Sequence, residues 1–509
     1  MRLRRLVSFA STLAEARERP TDPDVLAELA RSALQESEEE RGLAAIALAL
    51  TQCPTARLWQ WKGLLERSIE DHEKAIASFQ AAARMDPSNP SIAHGLARVV
   101  LEAGLPAEHL YEHARRLAPA DGSVLIGLAA ARFASGRGEH AEAELNAALR
   151  RAPLWMDGHR QLAQLRSMLG HPQSATASVQ RALSDLPQHT GLWQVLFDLR
   201  LKGEDFGSLD DDVARAASAG VDGALLRPYE AIAAAERGDR SRADRLFADG
   251  HATGRQALGI WQIRHFLRSG RFDQALEVIE RELAGPRAAQ AWPYAAIAWR
   301  LMGDARSEWL ERDGKLVSVL DLREELPPLD RLAEVLRSIH VAKAEYLDQS
   351  VRGGTQTDGP LFSRVEPEIR SVRSAVVAAI EGYVAQLPSR DAGHPLLSRR
   401  RDRRVRFAGS WSVRLQAEGF HVNHVHPQGW ISSALYVALP PVQENSPANA
   451  GWLQLGQPPS EIGVSLDPLA VIEPKPGRLV LFPSWMWHGT IPFRAGDRLT
   501  VAFDVSPPV

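Results

Sequence analysis

Two spacings of hydrophobic residues divide the chain into a helical N-terminal region and a β-rich C-terminal region. Over roughly the first 315 residues, apolar residues recur at i, i+4 and i+7, as in Ala75, Phe79 and Ala82, which places them on one face of a helix. From about residue 405, apolar and polar positions alternate, as in the segment from Trp411 to Leu415, which is the period of a half-buried strand. We therefore predict a multidomain α + β protein.

Glycine and proline punctuate the helical region at a common interval. The recurring positions are Gly104, Gly136, Gly170, Gly203, Gly238, Gly270 and Gly303, together with Pro54, Pro87, Pro119, Pro153 and Pro187. A period of ~34 residues is typical of helix–turn–helix repeats. We expect each glycine to adopt a left-handed conformation at a helix C-cap inside a repeat, and each proline to separate one repeat from the next.

Residues 1–315 are therefore predicted to form an α-solenoid of helix pairs, and they resemble the tetratricopeptide repeat family. Such repeats stack into a superhelix with a concave face, and the resemblance implies that this groove binds a protein or peptide. The alternative is a scaffold that only dimerises or spaces the C-terminal domain. Which repeat residues line the groove does not follow from the sequence.

The segment 316–404 is predicted to be a helical bridge that packs on the C-terminal domain. Apolar residues recur at helical spacing from Leu332 to Ala342 and again from Ile369 to Tyr383. Between them, residues 350–362 are rich in glycine and threonine and read either as a surface loop or as a lid, since mobile loops often close active sites.

Residues 405–509 are predicted to form a double-stranded β-helix, or jelly roll. The segments SSALYVAL, GWLQL, GRLVLF and RLTVAFDV have the length and composition of strands and are separated by proline and glycine clusters. Several short strands with turn signals between them indicate an all-β unit of this kind. With the bridge helices beside it, the jelly roll forms the third predicted domain.

Three histidines in this domain have the spacing of a metal site. His424 and His426 are two residues apart and would share one face of a strand, while His488 would enter from another strand. Non-haem Fe(II) oxygenases usually bind iron through two histidines and one carboxylate. Here His426 stands where the carboxylate is expected, so the pattern predicts a three-histidine site.

Residues on neighbouring strands are candidates for binding an anionic cosubstrate. Arg498 follows His488 by ten residues, and a guanidinium can bind a carboxylate through two parallel hydrogen bonds. Thr500 shares its strand face and can add a hydroxyl donor. Tyr436 is expected to line the pocket and hydrogen-bond the keto acid. Arg414 contacts either substrate or cosubstrate, or else forms a surface salt bridge.

Taken together, HVNHVHPQGWISSALYVALP, GRLVLFPSWMWHGTIPF and DRLTVAFDV resemble the bacterial 2-oxoglutarate/Fe(II)-dependent oxygenases that are often joined to tetratricopeptide repeats. The resemblance implies that His424, His426 and His488 hold Fe(II), and that Arg498 holds 2-oxoglutarate. It implies an O2-dependent dioxygenase that hydroxylates a protein or peptide recruited by the repeats. Two alternatives remain: a three-histidine oxygenase that does not use 2-oxoglutarate, and a non-catalytic interaction scaffold.

Composition narrows the remaining classes. A net charge of -3 and a pI near 6.6 argue against a nucleic-acid partner, which usually requires a basic excess. The single cysteine, Cys53, excludes an internal disulfide and is compatible with a reducing compartment. No apolar stretch approaches the ~20 residues of a membrane span. We therefore expect a cytoplasmic protein with no membrane partner.

Overall fold

The computed structural model describes residues 8–248, 258–312, 315–347, 349–441 and 447–508. Two compact units are present. The first contains the described residues up to 141 together with 359–374, and the second contains 142–358 and 375–508. The expected boundaries of the repeat array, the bridge and the jelly roll stay predictions.

The first unit is built from consecutive helices. They are α1 (Phe9–Glu18), α2 (Pro23–Glu36), α3 (Glu39–Gln52), α4 (Ala56–Ser68), α5 (His72–Met85), α6 (Pro90–Glu102), α7 (Glu108–Leu117) and α8 (Gly122–Ala134). Several begin with a side-chain cap, as where Asn89 accepts hydrogen bonds from the backbone of α6, which satisfies amide groups that a helix start leaves free.

Small residues in this unit make room for large ones, as the periodic pattern predicts. Phe79 is buried and its ring fills the space that side chains at Gly63 and Gly95 would need. A Cβ at those two glycines would lie 2.7 and 2.3 Å from the ring. The face formed by Ala75, Phe79 and Ala82 is fully buried, which confirms the predicted core positions.

The periodic glycines sit in turns inside helix pairs, and all but one have the expected positive φ. The exception is Gly203, whose φ is -85°. The left-handed position in that turn falls one residue later, at Glu204, with φ 52°. The prediction for Gly203 was wrong because the helix before it ends one residue further on.

Helices continue into the second unit. They are α9 (Gly138–Arg151), α10 (Met156–Met168), α11 (Ala177–Asp185), α12 (Thr190–Lys202), α13 (Phe206–Ser218), α14 (Gly223–Glu236), α15 (Arg240–Ala248), α16 (Leu258–Arg268), α17 (Phe272–Leu283), α18 (Ala288–Met302) and α19 (Arg306–Glu311). Trp193 stacks on Phe197 with ring centroids 5.7 Å apart, inside an apolar core formed by residues of α10 to α14. An N-terminal α-solenoid is therefore present, as predicted.

The C-terminal strands are β1 (Ser318–Asp321), β2 (Val351–Gln356), β3 (Phe407–His421), β4 (Ile431–Ala438), β5 (Leu453–Leu455), β6 (Ala470–Ile472), β7 (Arg478–Pro483), β8 (His488–Thr490) and β9 (Arg498–Val505). They form a six-stranded sheet in the order β1-β7-β4-β9-β3-β2 and a three-stranded sheet in the order β6-β5-β8. Buried residues of both sheets, including Tyr436, Leu455 and Phe482, share one core. The two sheets pack as a jelly roll.

The strands proposed from the hydrophobic pattern are present as β3, β4, β5, β7 and β9. The further strand expected to contain His488 is β8, whereas β1, β2 and β6 were not foreseen. β1 and β6 are too short to show an alternating pattern. Residues 350–362 are a loop only in part, because Val351–Gln356 pairs with β3 as an edge strand. Its glycines serve that pairing: a Cβ at Gly354 would lie 2.5 Å from the backbone oxygen of Arg414. A role as a lid stays a prediction.

The bridge contains two helices, α20 (Leu329–Ser338) and α21 (Pro367–Gln386). Their apolar positions are buried as predicted, including Leu332, Leu336, Val376 and Ile380. The bridge is not wholly helical, because it also supplies the two edge strands of the large sheet, β1 and β2.

Helices of the second unit contact the jelly roll directly. The indole of Trp487 donates to the carbonyl of Pro293 in α18 at 3.0 Å, and Arg268 of α16 donates to the carbonyl of Glu461 at 2.8 Å. Arg300 bonds the carbonyls of Gly456 and Asp467. In the described part of the chain, no helix is long and apolar enough to cross a membrane.

Candidate functional site

Backbone pairing brings His424 and His488 together. The amide of His424 donates to the carbonyl of His488 at 2.9 Å, and the reverse bond is 3.0 Å. The amide of His426 donates to the carbonyl of Ser484 at 2.9 Å. The segment containing His424 and His426 is an isolated bridge followed by a turn, so the prediction that they share a regular strand was wrong. These cross-chain bonds, not strand periodicity, position the two side chains.

The three imidazole rings surround one point. Ring centroids are 4.1 Å apart for His424 and His488, 4.9 Å for His424 and His426, and 5.1 Å for His426 and His488. One nitrogen from each ring lies within 4.8 Å of the others. The rings are therefore close enough to serve as ligands of a single ion.

Each ring has its Nδ1 anchored to an acceptor. Nδ1 of His424 lies 2.8 Å from the carbonyl of Val422, and Nδ1 of His488 lies 3.0 Å from that of Met486. Nδ1 of His426 lies 2.6 Å from Oδ2 of Asp504. Because Nδ1–H of each neutral ring donates to its acceptor, Nε2 keeps a lone pair for a metal. Metal-binding histidines usually have this arrangement.

Burial and charge set the protonation of the rings. Burial, reinforced by the neighbouring histidines, holds the pKa of His424 and His488 well below the ordinary value. Burial also disfavours the charged form of His426, but the Asp504 carboxylate outweighs it, and the pKa of His426 is raised. Two of the three rings are thus neutral and ready to bind a cation.

A fourth histidine, His421, lies beside the three-histidine cluster. The His421 ring stacks on that of His424 with ring centroids 5.7 Å apart, although residues three positions apart on a regular strand would lie on opposite faces. The chain leaves β3 after His421, which interrupts the alternation. Ser350 Oγ lies 3.0 Å from Nδ1 of His421 and 3.1 Å from Nε2 of His424. Burial, followed by the charge of Arg498, lowers the pKa of His421 to about 3.

Asp504 was not identified from the sequence, and it connects β9 to the histidines. Its carboxylate is buried, with Oδ2 on His426 and Oδ1 2.5 Å from Oγ of Ser432. A signal for it existed: Asp504 lies six residues after Arg498, on the same strand face as Arg498 and Thr500.

Arg498 lies at the inner end of the site. Its side chain is 2 % exposed, and its Nε has no hydrogen-bond partner. Among the described residues, no carboxylate forms a salt bridge with it. Its guanidinium lies 5.0 Å from the ring centre of Tyr436, whose hydroxyl is buried beside it. Burial lowers the pKa of Arg498. The site therefore contains a buried cation without an anion.

The other predicted cosubstrate residues divide between the two sheet faces. Thr500 is buried and pairs in register with Val413 and Tyr436, on the face of Arg498. Arg414 pairs with Leu499 on the opposite face, and its side chain is partly exposed in an ion pair with Asp497 at 3.2 Å. The structure does not bring Arg414 to the pocket, because it is one residue out of phase with the inward-facing residues of β3.

Two connected cavities meet at the histidines. The inner cavity lies between the sheets and is lined by residues that include His421, His488, Arg498 and Thr500. The outer cavity has a volume of about 1110 Å³ and is lined by helical residues, including Ser167, Lys202 and Arg264, together with residues of β2 and the metal site. His424, His426 and Asp504 line both cavities. A bound ion at the histidines would thus face both.

The fold and these residues define a class: a jelly roll with a three-histidine cluster and a buried arginine, joined to helical repeats. Residues 409–504 match the family model described as "Putative 2OG-Fe(II) oxygenase". The match lies in the β-rich C-terminal part of the chain, and the N-terminal part is an array of tetratricopeptide-like repeats. No curated protein matches the chain.

Solved structures give weaker similarities. A tetratricopeptide repeat protein from Parabacteroides merdae is 15% identical, with a TM-score of 0.32 over 44% of this chain and 89% of that one. A Pseudomonas putida prolyl-4-hydroxylase is 16% identical, with a TM-score of 0.25 over 38% and 92%. The protein TTC0263 from Thermus thermophilus is 18% identical, with a TM-score of 0.27 over 35% and 95%. TM-scores this low support no conclusion about function.

Proposed function

We propose that the chain is an Fe(II)- and 2-oxoglutarate-dependent dioxygenase that hydroxylates a protein or peptide substrate. The observation that carries this proposal is the pairing of three Nδ1-anchored histidines with a buried guanidinium that lacks an anion. A structural cluster of histidines would not need a charged, unpaired Arg498 beside it, because burying such a group is costly.

The donor set suits iron. Imidazole nitrogen is a usual ligand of Fe(II), and three ligands on one side leave positions open for other molecules. His424, His426 and His488 would hold the ion through their Nε2 atoms. The hydroxyl of Ser350, now hydrogen-bonded to Nε2 of His424, would have to turn away when a metal binds there.

The inner cavity suits a dicarboxylate. Arg498 offers a planar, charged fork to the carboxylate farther from the metal. The Thr500 hydroxyl lies on the same strand face, and the Tyr436 hydroxyl is buried beside the guanidinium. We infer that these three residues orient 2-oxoglutarate with its keto-acid end towards the histidines.

When bound, the iron and 2-oxoglutarate supply the oxidising chemistry with O2, giving succinate, CO2 and a hydroxylated product. The protein positions the reactants and excludes water. Trp411 stacks on the ring of His426 with an interplanar angle of 7° and lines both cavities. It therefore fixes the ring orientation and limits solvent at the metal.

The outer cavity supports a macromolecular substrate. Its volume exceeds that of most small-molecule pockets, and repeat helices form part of its wall. A side chain of a protein or peptide held by the repeats could reach the histidines through it. We place this activity in the cytoplasm, for which the single cysteine of the chain is suitable.

Anaerobic titration with Fe(II) and then 2-oxoglutarate tests the proposal. We expect a visible metal-to-ligand charge-transfer band in the wild type and no band in His488→Ala. Iron binding without the band would favour a three-histidine oxygenase that does not use a keto acid. A wild type that binds no iron would favour an interaction scaffold.

A second experiment tests the substrate class. Extracts would be incubated with wild-type protein or Arg498→Met, with Fe(II), 2-oxoglutarate and O2, and proteins gaining one oxygen atom would be identified by mass spectrometry. We expect oxygenated peptides only with wild type. Succinate formation that is stimulated by a small-molecule fraction of the extract, and by no protein fraction, would contradict a protein substrate.

A further inference from the structure

Asp504 is a buried carboxylate that has no lysine or arginine partner among the described residues. Among the described residues, its ion-pairing partner is His426 and its other hydrogen bond comes from Ser432. A carboxylate in such a position is costly unless a positive charge lies nearby. The nearest place for one is the point enclosed by the three histidines, on the far side of the His426 ring.

We propose that Asp504 supplies, through His426, the negative charge that a directly bound carboxylate would give the metal. Asp504 acts as a positioning residue and never touches the ion. Its Oδ2 accepts a 2.6 Å hydrogen bond from Nδ1–H of His426. The bond pushes electron density onto Nε2, as carboxylate–histidine pairs do at metal sites. This inference rests on the proposed iron site.

The formal charges show why Asp504 can take the place of a carboxylate bound directly to the metal. Two histidines and one carboxylate cancel one positive charge of Fe(II), whereas three neutral imidazoles cancel none. With Asp504 one ring further out, His426 and Asp504 together have the charge of the missing ligand. The chain has thus exchanged a carboxylate in contact with the ion for one held at the distance of an imidazole.

The surroundings fix the carboxylate for this role. Ser432 lies on β4, and its Oγ also lies 3.0 Å from Oγ of Ser484. A Cβ at Gly429 would lie 2.6 Å from Ser484 Oγ and 3.3 Å from Cβ of Asp504. The network is therefore tightly packed, and Asp504 cannot turn away from His426 without displacing these groups.

The test measures Fe(II) affinity and the Fe(III)/Fe(II) midpoint potential in Asp504→Asn, with Asp497→Asn as the matched control. Asp497 is a carboxylate at the other end of the same strand region, paired with Arg414 and Arg337 on the outer face. We expect Asp504→Asn to bind Fe(II) roughly 10- to 100-fold more weakly and to shift the potential to more positive values. Asp497→Asn should change neither.

Two further variants test the same idea, and one of them, Ser432→Ala, retains Asp504 and so does not depend on the folding of Asp504→Asn. His426→Asp in the Asp504→Asn protein returns one carboxylate to the site, now in direct contact with the ion. We expect it to recover most of the lost affinity and the wild-type potential. Ser432→Ala, which keeps the charge but removes its hydrogen bond, should weaken binding by less than threefold, on the order of 0.6 kcal/mol.

Three results would separate the possible failures. If Asp504→Asn binds iron as tightly as wild type at an unchanged potential, the role of Asp504 is refuted and the iron site stands. Equal losses in Ser432→Ala and Asp504→Asn would assign the effect to packing and also refute the role. If wild type binds no more iron than His488→Ala does, the histidines do not form an iron site. The proposed function is then refuted, independently of the role of Asp504.

Discussion

Replacing Arg498 by methionine separates cosubstrate binding from folding. The guanidinium is 2 % exposed and has an unpartnered Nε. With a bound dicarboxylate it would form two parallel hydrogen bonds, each contributing roughly 1.5–3 kcal/mol. Their loss predicts that 2-oxoglutarate binds on the order of 10² to 10⁴ times more weakly to Arg498→Met.

The same substitution should leave the unliganded protein about as stable as before. Removing an unsatisfied buried donor relieves roughly 1–3 kcal/mol. Losing the contact with the Tyr436 ring, 5.0 Å away, costs about 0.5–2 kcal/mol. These two effects nearly cancel, so the free energy of unfolding should change by less than about 2 kcal/mol, whereas breaking a paired buried ion pair costs ~3–5 kcal/mol.

The assay combines anaerobic 2-oxoglutarate titration of the Fe(II) protein with denaturant unfolding of the metal-free protein. Arg414→Met is the control, because Arg414 is an arginine of the neighbouring strand that pairs with Asp497 on the outer face. We expect Arg414→Met to bind 2-oxoglutarate normally. If Arg498→Met binds 2-oxoglutarate as tightly as wild type, or if the ligand-free variant loses much of its free energy of unfolding, the role of this guanidinium as an anion-binding group is refuted.

Three further predictions concern other parts of the chain. Because the pKa of His426 is raised, a proton competes with the metal there at low pH. Fe(II) affinity should therefore rise with pH, with about one proton released per ion bound, and then level off. Calorimetry that shows two or three protons released would contradict the neutral state of the other two rings. Ala344 lies in the wall of the outer cavity, so Ala344→Trp should narrow it. We expect an intact charge-transfer band and turnover of a protein substrate lowered by about tenfold or more, the equivalent of ~1.4 kcal/mol. Unchanged turnover would exclude entry of the substrate through this cavity. Phe79→Ala should lower the free energy of unfolding of the repeats by roughly 3–5 kcal/mol, measured by denaturant titration, and a change under 1 kcal/mol would contradict the packing against Gly63 and Gly95.

Sequence patterns predicted the elements that repeat and missed the residues where the pattern stops. The helical array follows from its glycine and proline period, and Phe79 from its helical spacing, because both are local properties. The position of His421 beside His424 does not follow from strand alternation, because the chain leaves β3 just beyond His421. Asp504 was overlooked, although it lies four residues after Thr500 and six after Arg498 and therefore on the same strand face.

The metal cluster shows the same limit more sharply. His424, His426 and His488 were selected by spacing and by resemblance to a family. Their convergence depends on backbone bonds to His488 and Ser484, which no local pattern encodes. Their assignment as iron ligands stays a prediction that the proposed titration can test.

The contacts of α16 and α18 with the jelly roll determine where the chain can be divided for expression. Trp487, one residue before His488, bonds the carbonyl of Pro293, and the ring of Tyr294 lies against it at 5.6 Å. Residues 142–358 and 375–508 form one compact unit. An expression fragment that begins at residue 405 would lack the partner that holds the strand of His488. Minimal fragments should therefore retain the later repeats, while exchange of repeats between proteins is better attempted before residue 141.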